Sequence, residues 1–369
     1  MAQMYAMVGD EAAALTISAQ IETASLERRR ASGSTLAAEA APDLTQTRSA
    51  PAAEYILRQA EGRRLVILNE AHHLSRCRAF AEELLSGLAS LGFTWFAAET
   101  FQESANAWSP GQAVRPDMGF YVRDPVYAEL VRKAGRLGFS LAAYEMRQDQ
   151  VLTTDSPSSL ELLNHREAMQ ASNLVAHVFE RDPGAKVFCL CGYGHAVDNP
   201  RNPELARMFA ARLRELTGID PLTISQTGGQ PARTPMDDSP AVHAVLERFE
   251  PVDPIVVLDA LGGTVRGGRS DNGMDLAVFH PRYEDVYGRP GWLAKASGRV
   301  PVRIALPPDP SGSERLLQAL HASEGSPTVP ADQCPVAGMS AATLFLRPGR
   351  YRLRVETEGG IIWLEDIGV

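Results

Sequence analysis

The sequence predicts an α/β protein. We expect a mixed, mainly parallel central sheet flanked by helices, an N-terminal helical segment and a small β-rich C-terminal unit. Two observations carry this prediction. Between residues 52 and 226, strand-like apolar runs alternate with helical patterns, which favours parallel strands with helices on both faces of the sheet. Towards the end of the chain, apolar and polar residues alternate around Pro348-Gly349 and Gly359-Gly360, which is typical of β-hairpins.

The elements follow in order along the chain. Residues 1–30 carry apolar side chains at helical spacing, and 31–50 have the small and turn-forming residues of a linker. Helices are predicted at about 75–91, 125–138, 157–181 and 203–217, and further strands at 254–261 and 275–280. The irregular stretch 102–123 is a candidate lid or substrate wall. We therefore expect a helical segment with linker (1–50), an α/β catalytic-like domain (51–300) and a β-rich unit (301–369).

Composition excludes several classes of protein. The net charge of -9 and the sequence pI of about 5.5 argue against a nucleic-acid-binding face, which would be basic. The chain has no apolar run of 18 residues and no basic-then-apolar leader, so the prediction is a cytoplasmic protein without a membrane span. Its four cysteines follow neither a zinc nor a disulfide pattern.

Four predicted strands each run into an acidic residue or a histidine. The carboxyl ends of neighbouring strands in an α/β sheet lie along one rim, where such folds place their ligands. We therefore expect these polar residues to converge. The strands are 65–69, 94–98, 140–144 and 187–191, and the residues that follow them are Glu70 with His72 and His73, Glu99, Glu145, and Gly192-Tyr193-Gly194-His195.

Glu70 and His73 form the sharpest local motif. If a helix opens at the strand end, residues three apart share one side of its first turn. Such a pair binds a metal, or the carboxylate orients a histidine that acts as a general base. His72 is the secondary candidate. The alternative is structural: Glu70 caps the helix and one histidine packs beneath it.

Glu99 and Glu145 follow apolar runs, so burial requires a cation beside them. Arg166 is the first candidate, because its helix precedes the last of the four strands, and Arg78 is the second. A structural Glu–Arg ion pair is the alternative. His195 is predicted to be a ligand or an acid–base group held by a glycine-flanked turn, or else a loop histidine with a structural partner. His280 ends a later strand and is a further candidate for the rim.

These residues resemble a superfamily that contains erythromycin esterases, ChaN-like haem-binding proteins and Tiki/TraB-type proteases. The resemblance covers about 64–198. Glu70 and His73 match its Glu-x-x-His motif, Glu99 its second strand-end glutamate, Arg166 its arginine, and Gly192 with His195 its Gly-x-x-His motif. Asn69 replaces the usual glycine, and the late motif lacks the paired histidines of the macrolide esterases. The resemblance implies an α/β fold with a site at the carboxyl rim.

The predicted function is hydrolysis of an ester, lactone or amide bond in a small-molecule or peptide substrate. His73 would activate water as a general base. Glu70 and Glu99 would orient this base, or would bind a divalent metal together with His73 and His195. Arg166 or His195 would stabilise the oxyanion. A metal-free, salt-bridged cluster is equally compatible with these residues. The alternatives are haem or iron binding, with Tyr144, Tyr193 and His195 near the rim, and a non-catalytic interaction protein.

Overall fold

A computed structural model describes residues 1–31, 39–153, 156–199, 207–268, 273–296, 298–308 and 312–369. The helices are α1 Ala2–Met7, α2 Glu11–Ala31, α3 Ala52–Ala60, α4 Ser75–Ser90, α5 Glu103–Asn106, α6 Pro125–Arg136, α7 Ser159–Leu174, α8 Phe209–Thr217, α9 Pro240–Phe249 and α10 Trp292–Lys295. The strands are β1 Arg48–Pro51, β2 Leu65–Glu70, β3 Trp95–Ala98, β4 Ser140–Ala143, β5 Val187–Gly192, β6 Leu222–Ser225, β7 Ile255–Leu258, β8 Leu276–Ala277, β9 Asp285–Val286, β10 Arg289–Pro290, β11 Val300–Ala305, β12 Arg315–His321, β13 Asp332–Pro335, β14 Ala341–Leu346, β15 Arg350–Thr357 and β16 Gly360–Gly368.

The central sheet confirms the predicted fold class. Its six strands lie in the order β4-β3-β5-β2-β6-β8 with parallel pairing throughout, and an antiparallel bridge between Ile255 and Phe279 links it to the β7–β1 pair. Alternate residues of the buried strands pack on opposite faces, as a sheet covered on both sides requires. Val66 and Leu68 belong to the core shared with α4 and α6, whereas Leu65 and Ile67 belong to the core shared with α7 and α8.

The C-terminal unit consists of small antiparallel sheets, as expected, but one predicted hairpin is wrong. β15 pairs with β16 around Gly359-Gly360, whereas β14 pairs with β11 rather than with β15. Local turn residues predict a chain reversal, but the partner of each strand is set by packing between distant segments. The domain boundaries at 50 and 300 stay predictions.

A buried ionic network joins this unit to the α/β layer. Arg347 donates to Glu129 at 2.6 Å and to Glu82 at 2.5 Å, and both glutamates lie on helices of the central domain. His321 lies 2.7 Å from Glu129, and Arg132 reaches Glu324 at 2.7 Å. Because these charges are largely buried, losing any one partner would leave an uncompensated charge.

Several element boundaries differ from the prediction. The linker contains β1, which is too short to give a strand signal, and residues 32–38 of that linker lie outside the described chain. In place of the single helix predicted at 157–181, the α-helix ends at Leu174 and a π-helical turn, Val175–Phe179, follows it. The last predicted helix begins at Phe209, and its expected start at 203–206 lies outside the described residues. Among the described residues, no helix is both long and apolar enough to cross a membrane.

Candidate functional site

The four strands with polar ends are direct neighbours, so their carboxyl ends share one rim as predicted. β4, β3, β5 and β2 lie side by side in that order. A polar residue follows or closes each strand, in the same order: Glu145, Glu99, His195 and Glu70. The first three of these side chains contact one arginine, Arg166. This arrangement follows from parallel pairing, which places every strand's carboxyl end at the same edge of the sheet.

Glu70 is fixed by Arg78, a fully buried arginine on α4. Arg78 Nε donates to Glu70 Oε2 at 2.9 Å and Nη2 donates to Oε1 at 3.0 Å, while Nη1 reaches Asp124 Oδ2 at 2.5 Å. Burial would raise the pKa of Glu70, but Arg78 and His72 outweigh it and lower that pKa to about 2. The bidentate contact therefore holds an ionised carboxylate in one orientation.

The partner of Glu70 is His72, not His73. His72 Nδ1 lies 2.9 Å from Glu70 Oε1, whereas His73 Nδ1 lies 3.4 Å from the hydroxyl of Tyr193. The predicted pairing assumed a helix that opens at Glu70, but residues 71–74 form a turn and α4 begins at Ser75, with Leu74 at its N-cap. Helical spacing therefore does not apply to this motif, and Glu70 does not cap the helix.

His72 presents its second nitrogen to the rim. Its ring stacks on Tyr121 with the centroids 4.1 Å apart and meets Tyr193 edge-on at 5.0 Å. A Cβ at Gly192 would lie 2.4 Å from His72 Nε2, so only glycine allows this approach. Nε2 has no hydrogen-bond partner among the described residues, and the His72 side chain keeps 11% of its surface exposed. In the neutral tautomer that donates Nδ1–H to Glu70, Nε2 carries a free lone pair.

Arg166 joins the other two carboxylates, as predicted. Its Nη2 donates to Glu99 Oε1 at 2.8 Å, and Nε donates to Glu145 Oε1 at 3.0 Å. Glu99 Oε2 also accepts the Gly192 backbone N–H at 2.5 Å. Burial would raise the pKa of Glu99, but His195, His72 and Arg166 together lower it. Arg166 keeps a third of its side chain exposed and so faces the open side of the rim.

His195 lies between Arg166 and a buried glutamate that sequence reasoning missed. Its Nε2 is 3.2 Å from Arg166 Nη1, and its Nδ1 makes a charge contact of 2.6 Å with Glu167 Oε1. Burial would lower the pKa of His195, but Glu167 and Glu99 outweigh it and raise that pKa. The two carboxylates thus favour protonation of His195, and the Arg166 guanidinium beside Nε2 opposes it.

Two secondary candidates, Tyr144 and His280, lie away from the rim, and His73, the predicted base, does not contact Glu70. Tyr144 continues the alternation of β4 into the core, where it stacks on Phe209 with the centroids 4.5 Å apart, so it does not face the rim. His280 is buried against Gln226 at 3.0 Å and Phe80, and burial lowers its pKa to about 3. Burial and neighbouring arginines lower the pKa of His73 to about 4, so it is neutral near pH 7.

Three further residues belong to the site, namely Tyr121, Asp124 and Glu167. Asp124 precedes Pro125 at the start of α6, which is a recognisable N-cap signal, and its side chain accepts from the Val126 N–H at 2.9 Å. Nothing in the local sequence connects it to Arg78. Tyr121 lies in the irregular stretch predicted to be a lid, and its contact with His72 supports a role for that stretch in the site.

The predicted metal ligands do not fit a divalent cation. Within the part of the chain that the structure describes, no group of three or more histidine, cysteine, aspartate or glutamate side chains could hold a metal ion. The guanidinium groups of Arg78 and Arg166 lie beside Glu70 and Glu99, at the positions where a metal would bind. His73, the predicted histidine ligand, contacts Tyr193 instead. Metal binding at this rim stays a prediction. Haem binding also stays a prediction, although Tyr144 is not placed to be a ligand.

No protein-family model matches the chain, and no curated protein matches it either. Among solved structures, one described as bacterial protein toxins is similar over 48% of this chain and 37% of its own length, with 14% identity and a TM-score of 0.34. The type III effector HopBA1 is similar over 51% of this chain and 89% of its own, with 15% identity and a TM-score of 0.29. RRSP, a MARTX toxin effector domain from Vibrio vulnificus CMCP6, covers 48% of this chain and 36% of its own, with 16% identity and a TM-score of 0.33.

This chain thus spans little more than a third of the first and third of these neighbours. The resemblance to the erythromycin esterase, ChaN-like and Tiki/TraB superfamily is not tested by these comparisons and stays a prediction.

Proposed function

We propose that the protein is a hydrolase of ester, lactone or amide bonds, with the Glu70–His72 pair as its general base. The observation that carries this proposal is the free Nε2 of His72. Glu70 accepts the hydrogen bond from Nδ1–H and is itself locked by Arg78, so the imidazole is held in the tautomer and orientation that a base requires.

The second imidazole, His195, is a poorer candidate for the base. It also has a carboxylate partner, Glu167, but its Nε2 already lies 3.2 Å from Arg166. If His195 is neutral, its Nε2 lone pair faces the Arg166 N–H, and if it is protonated, as the raised pKa favours, Nε2 has no lone pair; in neither form is Nε2 free to accept a proton. His195 and Arg166 instead form the positive side of the site.

The reaction follows from these two roles, with His72 as the base and Arg166 with His195 as the positive side. Water beside His72 Nε2 gives up a proton to that nitrogen while its oxygen attacks the substrate's carbonyl carbon. The carbonyl π electrons move to oxygen, and Arg166 and His195 stabilise the resulting oxyanion. When the tetrahedral intermediate collapses, the bond to the leaving alcohol or amine breaks, and the proton on His72 moves to that leaving group. General-base catalysis and one oxyanion donor contribute about 10² to 10⁴-fold and about 10² to 10³-fold, respectively.

Glu99 has a supporting role in this scheme. Its Oε2 lies on the same side of Gly192 as His72 Nε2: a Cβ at Gly192 would be 3.0 Å from the first atom and 2.4 Å from the second. The Gly192 N–H and Arg166 orient the carboxylate. A carboxylate at this point aligns the attacking water but does not need to take its proton.

The neighbouring histidines provide a matched test. Purified protein would be assayed on p-nitrophenyl esters, a δ-lactone and a p-nitroanilide. His72→Ala is expected to lower kcat/KM by about 10² to 10⁴-fold, whereas His73→Ala, which removes a side chain of the same size one residue away, should cost less than about tenfold. Hydrolysis of none of these substrates, or equal activity of His72→Ala and the intact protein, would overturn the proposal.

A further inference from the structure

Strand β16 forms an open edge of the C-terminal sheet. The sheet has the order β13-β12-β15-β16, so β16 pairs with β15 on one side only. Within the described residues, no backbone hydrogen bond leaves the other side of β16. A strand edge carries a row of unpaired N–H and C=O groups, which pair readily with a further strand. The whole of Gly360–Gly368 therefore offers a long template for pairing.

The opposite edge of the same sheet is covered by the chain itself. β13 has only 4 residues, and the N-terminal segment packs against it. Gln333 Nε2 donates to the Met7 carbonyl oxygen at 2.7 Å, and a Cβ at Gly9 would lie 2.4 Å from the Gln333 carbonyl oxygen. The sheet is therefore protected at β13 and open at β16.

β16 also lacks the features that keep exposed edges apart. It contains no lysine and no proline, and the β-bulge of its pairing with β15 lies between Arg352 and Arg354, which leaves 360–363 in regular register. This regular part carries three consecutive apolar side chains, Ile361, Ile362 and Trp363, which are 47%, 44% and 56% exposed. A regular, exposed and apolar edge favours the addition of a strand from a further chain.

The two faces of β16 have different side chains. Ile362 pairs with the core residue Val355, and Leu364 packs partly against the same core, so both lie on the inner face of the sheet. Trp363 pairs with Arg354, whose guanidinium stacks on its ring, on the outer face. When two antiparallel strands pair, residues directly opposite each other lie on the same face. A partner strand must therefore match this inner and outer pattern.

A second copy of β16 matches the pattern when the antiparallel pairing is centred on Trp363. Trp363 then lies opposite its own copy on the outer face, and Ile362 lies opposite Leu364 of the second chain on the inner face. The acidic residues of the strand, Glu365 and Asp366, fall opposite uncharged residues, so no like charges face each other.

We propose that the protein forms a two-fold symmetric dimer in which the β16 strands of two copies pair antiparallel and join their sheets into one. A contact of one strand from each copy lies at the small end of protein interfaces, since stable ones bury about 1,200 Å² or more. The dimer should therefore dissociate on dilution. This inference is independent of the proposed hydrolase function.

The dependence of mass on concentration tests this pairing. In sedimentation velocity from about 1 to about 100 µM, the intact protein should shift from the 40.0 kDa of one chain towards twice that mass. Trp363→Lys and Trp363→Glu should each stay monomeric, because like charges would meet at the two-fold axis. An equimolar mixture of these two variants should dimerise again. Leu261→Lys, at an exposed position outside β16, should behave like the intact protein.

A cross-link checks the register without a charged substitution. Trp363→Cys should form an intermolecular disulfide on mild oxidation, because directly opposite residues of an antiparallel pair have Cβ atoms about 4.5–5.5 Å apart. The native cysteines are buried and do not compete. Leu261→Cys is the control and should cross-link at least about tenfold more slowly. Intact protein that stays monomeric up to about 100 µM, a dimer that the charged Trp363 variants leave intact, or equal cross-linking of the two cysteine variants would overturn the pairing.

Discussion

Replacing Arg78 by leucine is expected to destabilise the protein through the carboxylates that Arg78 holds. The guanidinium is fully buried and binds Glu70 and Asp124, whose side chains are 3% and 1% exposed. Leucine fills a similar volume but offers no charge. Removing one partner of a buried ion pair costs about 3–5 kcal/mol, so the free energy of unfolding at pH 7 should fall by about that amount.

The assay is urea denaturation followed by circular dichroism, with Arg115→Leu as the control. Arg115 also binds an aspartate, Asp117, but the two side chains are 44% and 62% exposed, and solvent screens the pair. Its loss should change the free energy of unfolding by less than about 1 kcal/mol. The double variant Arg78→Leu/Glu70→Gln should recover at least about 1 kcal/mol over Arg78→Leu, because glutamine removes one of the two buried charges that lose Arg78 as a partner.

The pH dependence has a definite sign. Ionised Glu70 has a pKa of about 2 in the fold against an ordinary value of 4.5, so its stabilisation is present above the unfolded pKa and is lost as pH falls towards 2. In Arg78→Leu, burial without the guanidinium favours protonation, and the destabilisation relative to intact protein should shrink between pH 7 and pH 4. A loss below about 1 kcal/mol at pH 7, or a difference that grows on acidification, would refute this assignment of Arg78.

Three further predictions concern activity. Glu167→Gln removes the charge that helps raise the pKa of His195, so the alkaline limb of the kcat/KM–pH profile should move to lower pH; an unmoved limb would contradict the role given to His195. Arg166→Lys keeps the positive charge but loses the planar guanidinium that contacts both Glu99 and Glu145, so kcat/KM should fall about 10²-fold. The control Arg147→Lys, at an exposed arginine, should change kcat/KM negligibly. Dialysis against EDTA should leave hydrolysis within about twofold of its starting rate, because arginines stand beside Glu70 and Glu99; a loss reversed by added Zn²⁺ would favour the metal-dependent alternative.

The rim could be predicted from sequence because parallel pairing leaves little freedom. Once Glu70, Glu99 and Glu145 follow buried parallel strands, their side chains must come near one edge, and burial then requires a cation such as Arg166. Neither step depends on the precise turn geometry. The same reasoning predicted the fold class correctly, because alternating strands and helices have few compact arrangements.

The details that failed depend on the conformation of short segments. The choice of His73 over His72 required the helix to begin at Glu70, yet α4 begins five residues later, at Ser75. Tyr144 sits at a strand end, but the period of two turns its ring into the core. Asp124 and Glu167 come from loops and helices distant in sequence from their partners Arg78 and His195, so no local pattern indicates these contacts.

A double-mutant cycle on Glu70 and His72 tests the central claim most directly. Glu70→Gln, His72→Ala and the double variant would be compared by kcat/KM on the best substrate of the ester, lactone and amide panel. If Glu70 acts only by orienting His72, its removal adds no loss once His72 is gone, and the double variant should fall within about twofold of His72→Ala. Losses that multiply in the double variant would show that the two residues act independently and would contradict a paired base.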